Sequence, residues 1–178
     1  MRSVHRLKLA YNNVYLLRSG TESLLVDTGP DFRGARDVLS AELPGMPDAV
    51  IATHGHLDHA GLGQWWEERG THVALHERDA HFARGRQLDE TEFAGLSAFL
   101  VASGAPAEIA AEVQEGLELR RAWQIALTAA QEYRPAGRDG RWPTSLHYRP
   151  FEPTRWLRSG IEQLAAGAAF IHMPGHTP

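Results

Sequence analysis

In the stretch ATHGHLDHAG, residues 52–61, histidine stands at 54, 56 and 59 and aspartate at 58. Imidazole and carboxylate are the side chains that hold zinc, manganese or iron. Where a strand runs out into a loop, residues i and i+2 face the same side. His54 and His56 can therefore grip one cation together. Asp58 and His59, in the turn before the next helix, can grip a second. With 10 His and 8 Asp in 178 residues, H-x-H-x-D-H arises by chance roughly 0.001 times in such a chain, so the spacing is specific. A polar surface loop without metal is the competing reading. It would crowd several imidazoles together with unmet hydrogen bonds.

The elements around this cluster must bring a strand to its door. VHRLKL and NVYLLRS have strand character, and Gly20 makes a tight link into a buried strand, Leu24 to Val26, so residues 13–27 resemble a hairpin. FRGARDVLSAEL reads as a helix stopped by Pro44. DAVIATH is a short apolar strand that ends at the cluster. AGLGQWWEERG then reads as a helix closed by Gly70, with one of Trp65 and Trp66 in the core, and HVALH as another strand. Strand, helix and strand in succession predict parallel pairing in an α/β or layered fold.

The rhythm breaks at about 85–135, a helical insertion. Phe93, Leu96 and Leu100 share one helical face, Gly104 ends that helix, and Pro106 starts the next, which continues through Ile109, Val113 and Leu117. Gly116 inside this run costs about 1 kcal/mol against Ala, which argues against one unbroken helix. Residues 133–153 contain Pro135, Pro143, Pro150 and Pro153 and read as a loop, after which TRWLRSG and AAFIHM resume strand character.

Bulk properties narrow the partners. A length of 178 residues suggests one domain, and 43% apolar residues can fill a core. A net charge of -4, with a pI near 6.2, argues against a protein that grips nucleic acid. The absence of Cys excludes disulfides, thiolate ligands and a cysteine nucleophile. The start, MRSVHRLKLAYNN, has no long apolar run, and no stretch reaches the roughly 18 apolar residues of a membrane helix. A cytoplasmic protein with no membrane partner is expected.

THGHLDHAG resembles the signature of the metallo-β-lactamase-fold hydrolases. NVYLLRSGTESLLVDTGPD resembles that family's opening hairpin, and MPGHTP, residues 173–178, resembles the segment that carries the third histidine of its first metal site. The resemblance implies an αββα sandwich with the metals at one edge, between two sheets. It implies that His54, His56 and His176 hold the first metal and that Asp58 and His59 contribute to a second. Asp27, in VDTG, would support the site from behind or simply form a turn. Gly175 would free the loop that presents His176. The family's bridging aspartate and final histidine lie downstream of this segment, so a partial fold is expected: an N-terminal half plus the helical insertion, from a chain truncated at its C-terminus. His72, His76, His81, His147 and His172 have no ligand spacing and are expected on the surface or in ordinary packing.

The resemblance implies one or two zinc ions and a hydrolase of small esters, thioesters, lactones or related substrates. A zinc-bound water has a pKa near 7, which provides hydroxide at neutral pH, and Asp58 would orient it. The absent cysteine sets aside those β-lactamases that use a Cys ligand. Iron or manganese remains open as the metal. The alternatives are an iron-dependent oxidoreductase of the same fold and a metal-binding remnant without catalysis. The di-iron kind usually carries Glu where this chain has His56, which argues against it. The helical insertion would either cover the site as a lid or pack against the sandwich.

Overall fold

The computed structural model describes residues 2–9, 12–85, 96–128 and 146–177. Its centre is a six-stranded sheet of β1 (Arg2–Leu9), β2 (Asn12–Ser19), β3 (Glu22–Val26), β5 (Ala49–Ile51), β6 (His72–His76) and β8 (Arg155–Leu157), in that order from edge to edge. The first three pair antiparallel, and from β3 onward every pairing is parallel. The predicted hairpin and the predicted parallel crossovers are thus both present.

Alternation along the strands builds two cores. Leu25, Val50, Val73 and Leu75 face one side, where α1 (Ala35–Glu42), α2 (Leu57–Ala60) and α3 (Gly63–Glu67) cover them. Their neighbours Leu24, Ile51, Ala74 and Leu157 face the other side, under Leu164, Ala166 and Phe170. The register aligns these sets across the sheet, Leu25 opposite Val50 and Val50 opposite Val73. A strand buried on both faces needs apolar residues throughout, which is why LLV, AVI and VAL read as continuous runs. The second face is covered by a hairpin of β9 (Ile161–Gln163) and β10 (Ala169–Ile171). IEQ gave no strand signal, and β9 is an addition to the sequence reading.

Several expectations are corrected. Both tryptophans are buried, and Trp66 donates its indole N–H to the Thr28 carbonyl at 3.2 Å. The helix expected over 60–70 is two short helices, and Asp58 and His59 lie inside the first of them rather than in a turn before it. Tertiary hydrogen bonds cause the break. The Asp58 carbonyl accepts from the Asn12 side chain at 2.8 Å, while the Leu62 amide, its helical partner by position, donates instead to Gly29 O and Thr28 Oγ1, each at 3.0 Å. The helix expected from Phe32 begins only at Ala35, because β4 (Asp31–Phe32) pairs with β7 (Leu146–His147). That ladder also places a strand inside the expected 133–153 loop, of which residues 133–145 lie outside the described part.

Of the helical insertion, residues 86–95, Phe93 among them, and 129–135 lie outside the described residues. The remainder forms α5 (Leu96–Ala102), a reversal at Gly104 with φ +93°, and α6 (Ala107–Thr128). The second helix runs through Gly116 unbroken, so its neighbours outweigh the glycine penalty. Ile109 and Val113 are exposed, and Ala110 is the buried residue of that turn.

Candidate metal centre

The parallel strands deliver their C-terminal ends to one edge of the sheet, where open α/β sheets generally build their sites. Asp27 follows β3 and Thr53 follows β5. Pairing continues past the strands, from the Asp27 amide to Ile51 O at 2.7 Å and from the Ala52 amide to Ala74 O at 2.9 Å. These bonds fix where His54 begins. From there His54, Gly55 and His56 turn outward, and the His56 carbonyl accepts from the amides of His59 and Ala60 to start α2. His176 arrives from the far end of the chain, after β10.

The three histidines meet. Nitrogen atoms of His54, His56 and His176, one from each ring, all lie within 4.8 Å of one another. His56 Nδ1 and His176 Nε2 are 3.2 Å apart. A tetrahedral cation with bonds of about 2.0–2.1 Å places its ligands about 3.4 Å apart, so the donor set fits a zinc-like ion with slight closure. His59 joins this group through its ring, 4.1 Å from that of His54 between centroids. Its Nε2 lies 3.4 Å from Asp58 Oδ2. The Asn12 side-chain amide steadies the same Asp58 oxygen at 3.3 Å.

Asp27 is both a turn residue and a support. Its backbone sits in the left-handed region with φ +68°. Its buried carboxylate accepts from the Thr53 amide and the Thr53 hydroxyl, both at 2.8 Å, and pairs with His59 Nδ1 at 2.9 Å. An imidazole held at Nδ1 turns Nε2 toward whatever the site binds, the usual arrangement behind a ligating histidine. Thr28 completes the platform, donating its hydroxyl to the His59 carbonyl at 2.9 Å. Next to it, Gly29 has φ +87°, a backbone conformation that favours glycine, and a Cβ there would press on Leu9 Cδ1 at 2.5 Å.

The electrostatics separate the two neighbouring rings. Burial, reinforced by the charges His59 and His176 can carry, pushes His54 down to about 4 and keeps it neutral, as a ligand must be. Burial also pulls His59 down, but its hydrogen bond to Asp27 and the carboxylates of Asp27 and Asp58 more than reverse this, and its value is raised. A pH dependence follows for the metal-free protein. Between the ordinary histidine value of 6.5 and about 4, the unfolded chain binds a proton that folded His54 refuses. Stability therefore falls as pH falls through that window. His59, raised in the folded state, is protonated in both states toward the lower end of that window and adds little slope there. Melting temperatures from pH 7 to pH 4 should drop less steeply in His54→Gln than in the parent, and parallel curves would count against the assignment.

Asn12, Thr53, Thr28 and Asp79 were not singled out from the sequence. Asn12 lies 46 positions from Asp58, and no spacing rule connects them. Thr53 had a signal, since it precedes the first histidine at a strand end. The remaining histidines sit in ordinary packing or on the surface. His72 is exposed, His76 is buried and stacks on His172 at 3.7 Å, and His147 faces Asp31 at 3.4 Å. His81 bonds the Arg78 carbonyl at 3.0 Å.

The family model of the metallo-β-lactamase superfamily matches residues 7–178. The chain belongs to this superfamily. Among curated members it is 26% identical over 76 residues to "Probable metallo-hydrolase YybB" of Bacillus subtilis (strain 168), covering 42% of this chain and 34% of that protein. It is 36% identical over 76 residues to the acyl-coenzyme A thioesterase MBLAC2 of Gallus gallus, covering 38% of this chain and 26% of that one. A metallo-β-lactamase family protein of Thermus thermophilus, TTHA1429, superposes with a TM-score of 0.53 at 27% identity, over 99% of this chain and 52% of that structure. A metallo-β-lactamase of Cronobacter sakazakii with a HARLDQ motif gives 0.56 at 16% identity, over 98% and 51%, and shows the fold alone. The chain thus spans about half the length of these solved superfamily structures. No helix among the described residues is long and apolar enough to cross a membrane.

Proposed function

We propose that the protein is a zinc-dependent hydrolase of small esters, thioesters or lactones, with thioesters first among them. One observation carries the reading: the convergence of His54, His56 and His176 from two distant parts of the chain on a single point. In this reading those histidines hold the first cation, and Asp58 and His59 contribute to a second. A divalent cation there supplies Lewis acidity, polarising a carbonyl oxygen and making water acidic enough to attack near neutral pH.

The chain's own residues supply the rest. Asp58, about a quarter exposed, has an oxygen steadied by Asn12 and is placed to orient the attacking water and take its proton. Asp27 and Thr53 fix His59 so that its Nε2 stays turned toward Asp58. The name of the chicken relative supports ranking thioesters first, and the name of the Bacillus relative supports hydrolysis.

The test has two readings. Metal content is measured on protein purified without added metal, and turnover is followed on a panel of acyl thioesters, lactones and aryl esters. The expected result is bound zinc, loss of turnover on chelation and recovery with zinc. Iron as the bound metal, with no turnover of any panel member, would replace this reading by the oxidoreductase one.

A further inference from the structure

Asp79 stands between the two segments that bring the histidines together. It ends the single 3₁₀ turn after β6, Glu77–Asp79, and its side chain is buried. Its Oδ2 accepts a hydrogen bond from the Thr177 hydroxyl at 3.4 Å, and Thr177 is the residue after His176. The Gly55 backbone N–H, between His54 and His56, faces the same carboxylate. Its Oδ1 is buried without a hydrogen-bond partner among the described residues.

The chain just beyond Asp79 packs on the same loop. Phe82, in α4 (Ala80–Ala83), lies so close to Gly55 that a Cβ at 55 would overlap the Phe82 Cβ, and its ring meets His56 edge-on at 4.8 Å. By contrast, residues 172–177 have no strand or helix of their own. Beyond the approach of His176 Nε2 to His56 Nδ1 at 3.2 Å, their hydrogen bonds include local or peripheral ones: His172 to Gly160 O at 3.4 Å, His172 to the Ser159 hydroxyl at 3.1 Å, and Gly175 to Thr177 O at 3.0 Å. Besides the His176 ring itself and the stacking of His172 on His76, the contact with Asp79 links this segment to the floor of the site. Burying a carboxylate with an incomplete set of partners costs stability, which points to a role other than packing.

We propose that Asp79 is a positioning residue for the metal centre, locking the Thr177 segment against the Gly55 loop so that His176 closes on His54 and His56. The proposal rests on the metal-binding reading above. It does not make Asp79 a ligand.

Zinc affinity by chelator competition, and the visible absorption of the cobalt(II)-loaded protein, are measured for the parent, Asp79→Ala, Asp79→Asn, Thr177→Val and Leu39→Ala. Asp79→Ala should weaken zinc binding about 10–100-fold, the usual effect of removing a group that orients a ligand. Thr177→Val should cost about fivefold, as one hydrogen bond is lost. Asp79→Asn keeps one acceptor and should fall between the parent and Asp79→Ala. The cobalt spectrum should change in Asp79→Ala as His176 withdraws. Leu39→Ala, a fully buried core position in α1, should lower the melting temperature but keep the parent affinity and spectrum. If Asp79→Ala does not fold, Thr177→Val carries the test. Parent-like zinc affinity in the Asp79 and Thr177 variants overturns this proposal alone. Failure of the parent to bind zinc overturns the metal reading, and this proposal with it.

Discussion

Replacing His56 by Ala should weaken binding of a divalent cation by more than about 100-fold, since in the proposed reading it removes a ligand outright, and removing a group merely behind a ligand already costs about 10–100-fold. Hydrolysis should disappear with the metal. The same holds for His54→Ala. The substitution is clean because the fold uses the His56 backbone rather than its ring: the carbonyl accepts from the amides of His59 and Ala60 at 2.9 and 2.8 Å whatever the side chain. The ring's contacts include its nitrogen, 3.2 Å from His176 Nε2, the ring of His54 at 4.7 Å and an edge against Phe82. The metal-free variant should therefore melt close to the parent, while the rise in melting temperature on adding zinc, which reports binding to the folded state alone, should vanish. His147→Ala is the control. Its ring lies on the β4–β7 ladder against Asp31, which keeps the shorter 2.7 Å bond from Arg36, and zinc response and turnover should both persist. A full zinc response in His56→Ala would sink the assignment of His56 as a ligand.

The parts of this site that could be read from sequence are those encoded locally. His54, His56, Asp58 and His59 fall within six residues of one another, so their types and spacing survive without knowledge of the fold. The strands that end there announced themselves by apolar runs, because β3, β5 and β6 are buried on both faces. His176 was legible only through the likeness of MPGHTP to a known segment, since nothing in its spacing ties it to residues 120 positions away. Asn12 and Asp79 were not legible at all. Their partners, Asp58 and Thr177, lie 46 and 98 positions off and meet them only because of how the sheet and its crossovers place them. The broken helix at Gly61 has the same cause. Local pattern favours one helix from 60 to 70, and the competing hydrogen bonds to Asn12, Thr28 and Gly29 come from residues that no local window contains.

Asp27 should show a large effect without being a ligand, and three substitutions separate its roles. Asp27→Ala removes the acceptor for the Thr53 amide, the Thr53 hydroxyl and His59 Nδ1 in a nearly closed environment. It also puts a Cβ without a compensating local hydrogen bond at φ +68°, a conformation that costs about 1–2 kcal/mol outside glycine, asparagine and aspartate. With a further cost of about 1–3 kcal/mol for buried donors left unmet, a loss of about 2–5 kcal/mol is expected in chemical denaturation. Asp27→Gly relieves the backbone and should recover about 1 kcal/mol of that. Asp27→Asn keeps the backbone and one acceptor but removes the charge, so it isolates the effect on His59. Burial then acts on His59 without the Asp27 carboxylate to reverse it, and its titration should move down from the raised value of the parent. The sign in stability follows. A histidine raised in the folded state stabilises it fully below the unfolded value of 6.5 and loses that contribution as pH rises through the folded value. The parent's advantage over Asp27→Asn should therefore be largest below about pH 6.5 and shrink at higher pH. Metal affinity should fall about 10–100-fold, as for other groups that orient a ligand. Nuclear magnetic resonance titration of His59 in the metal-free proteins decides the matter. If His59 in Asp27→Asn still titrates above an ordinary histidine, then Asp58 alone holds its proton, and Asp27 is a turn residue with no hand in the site.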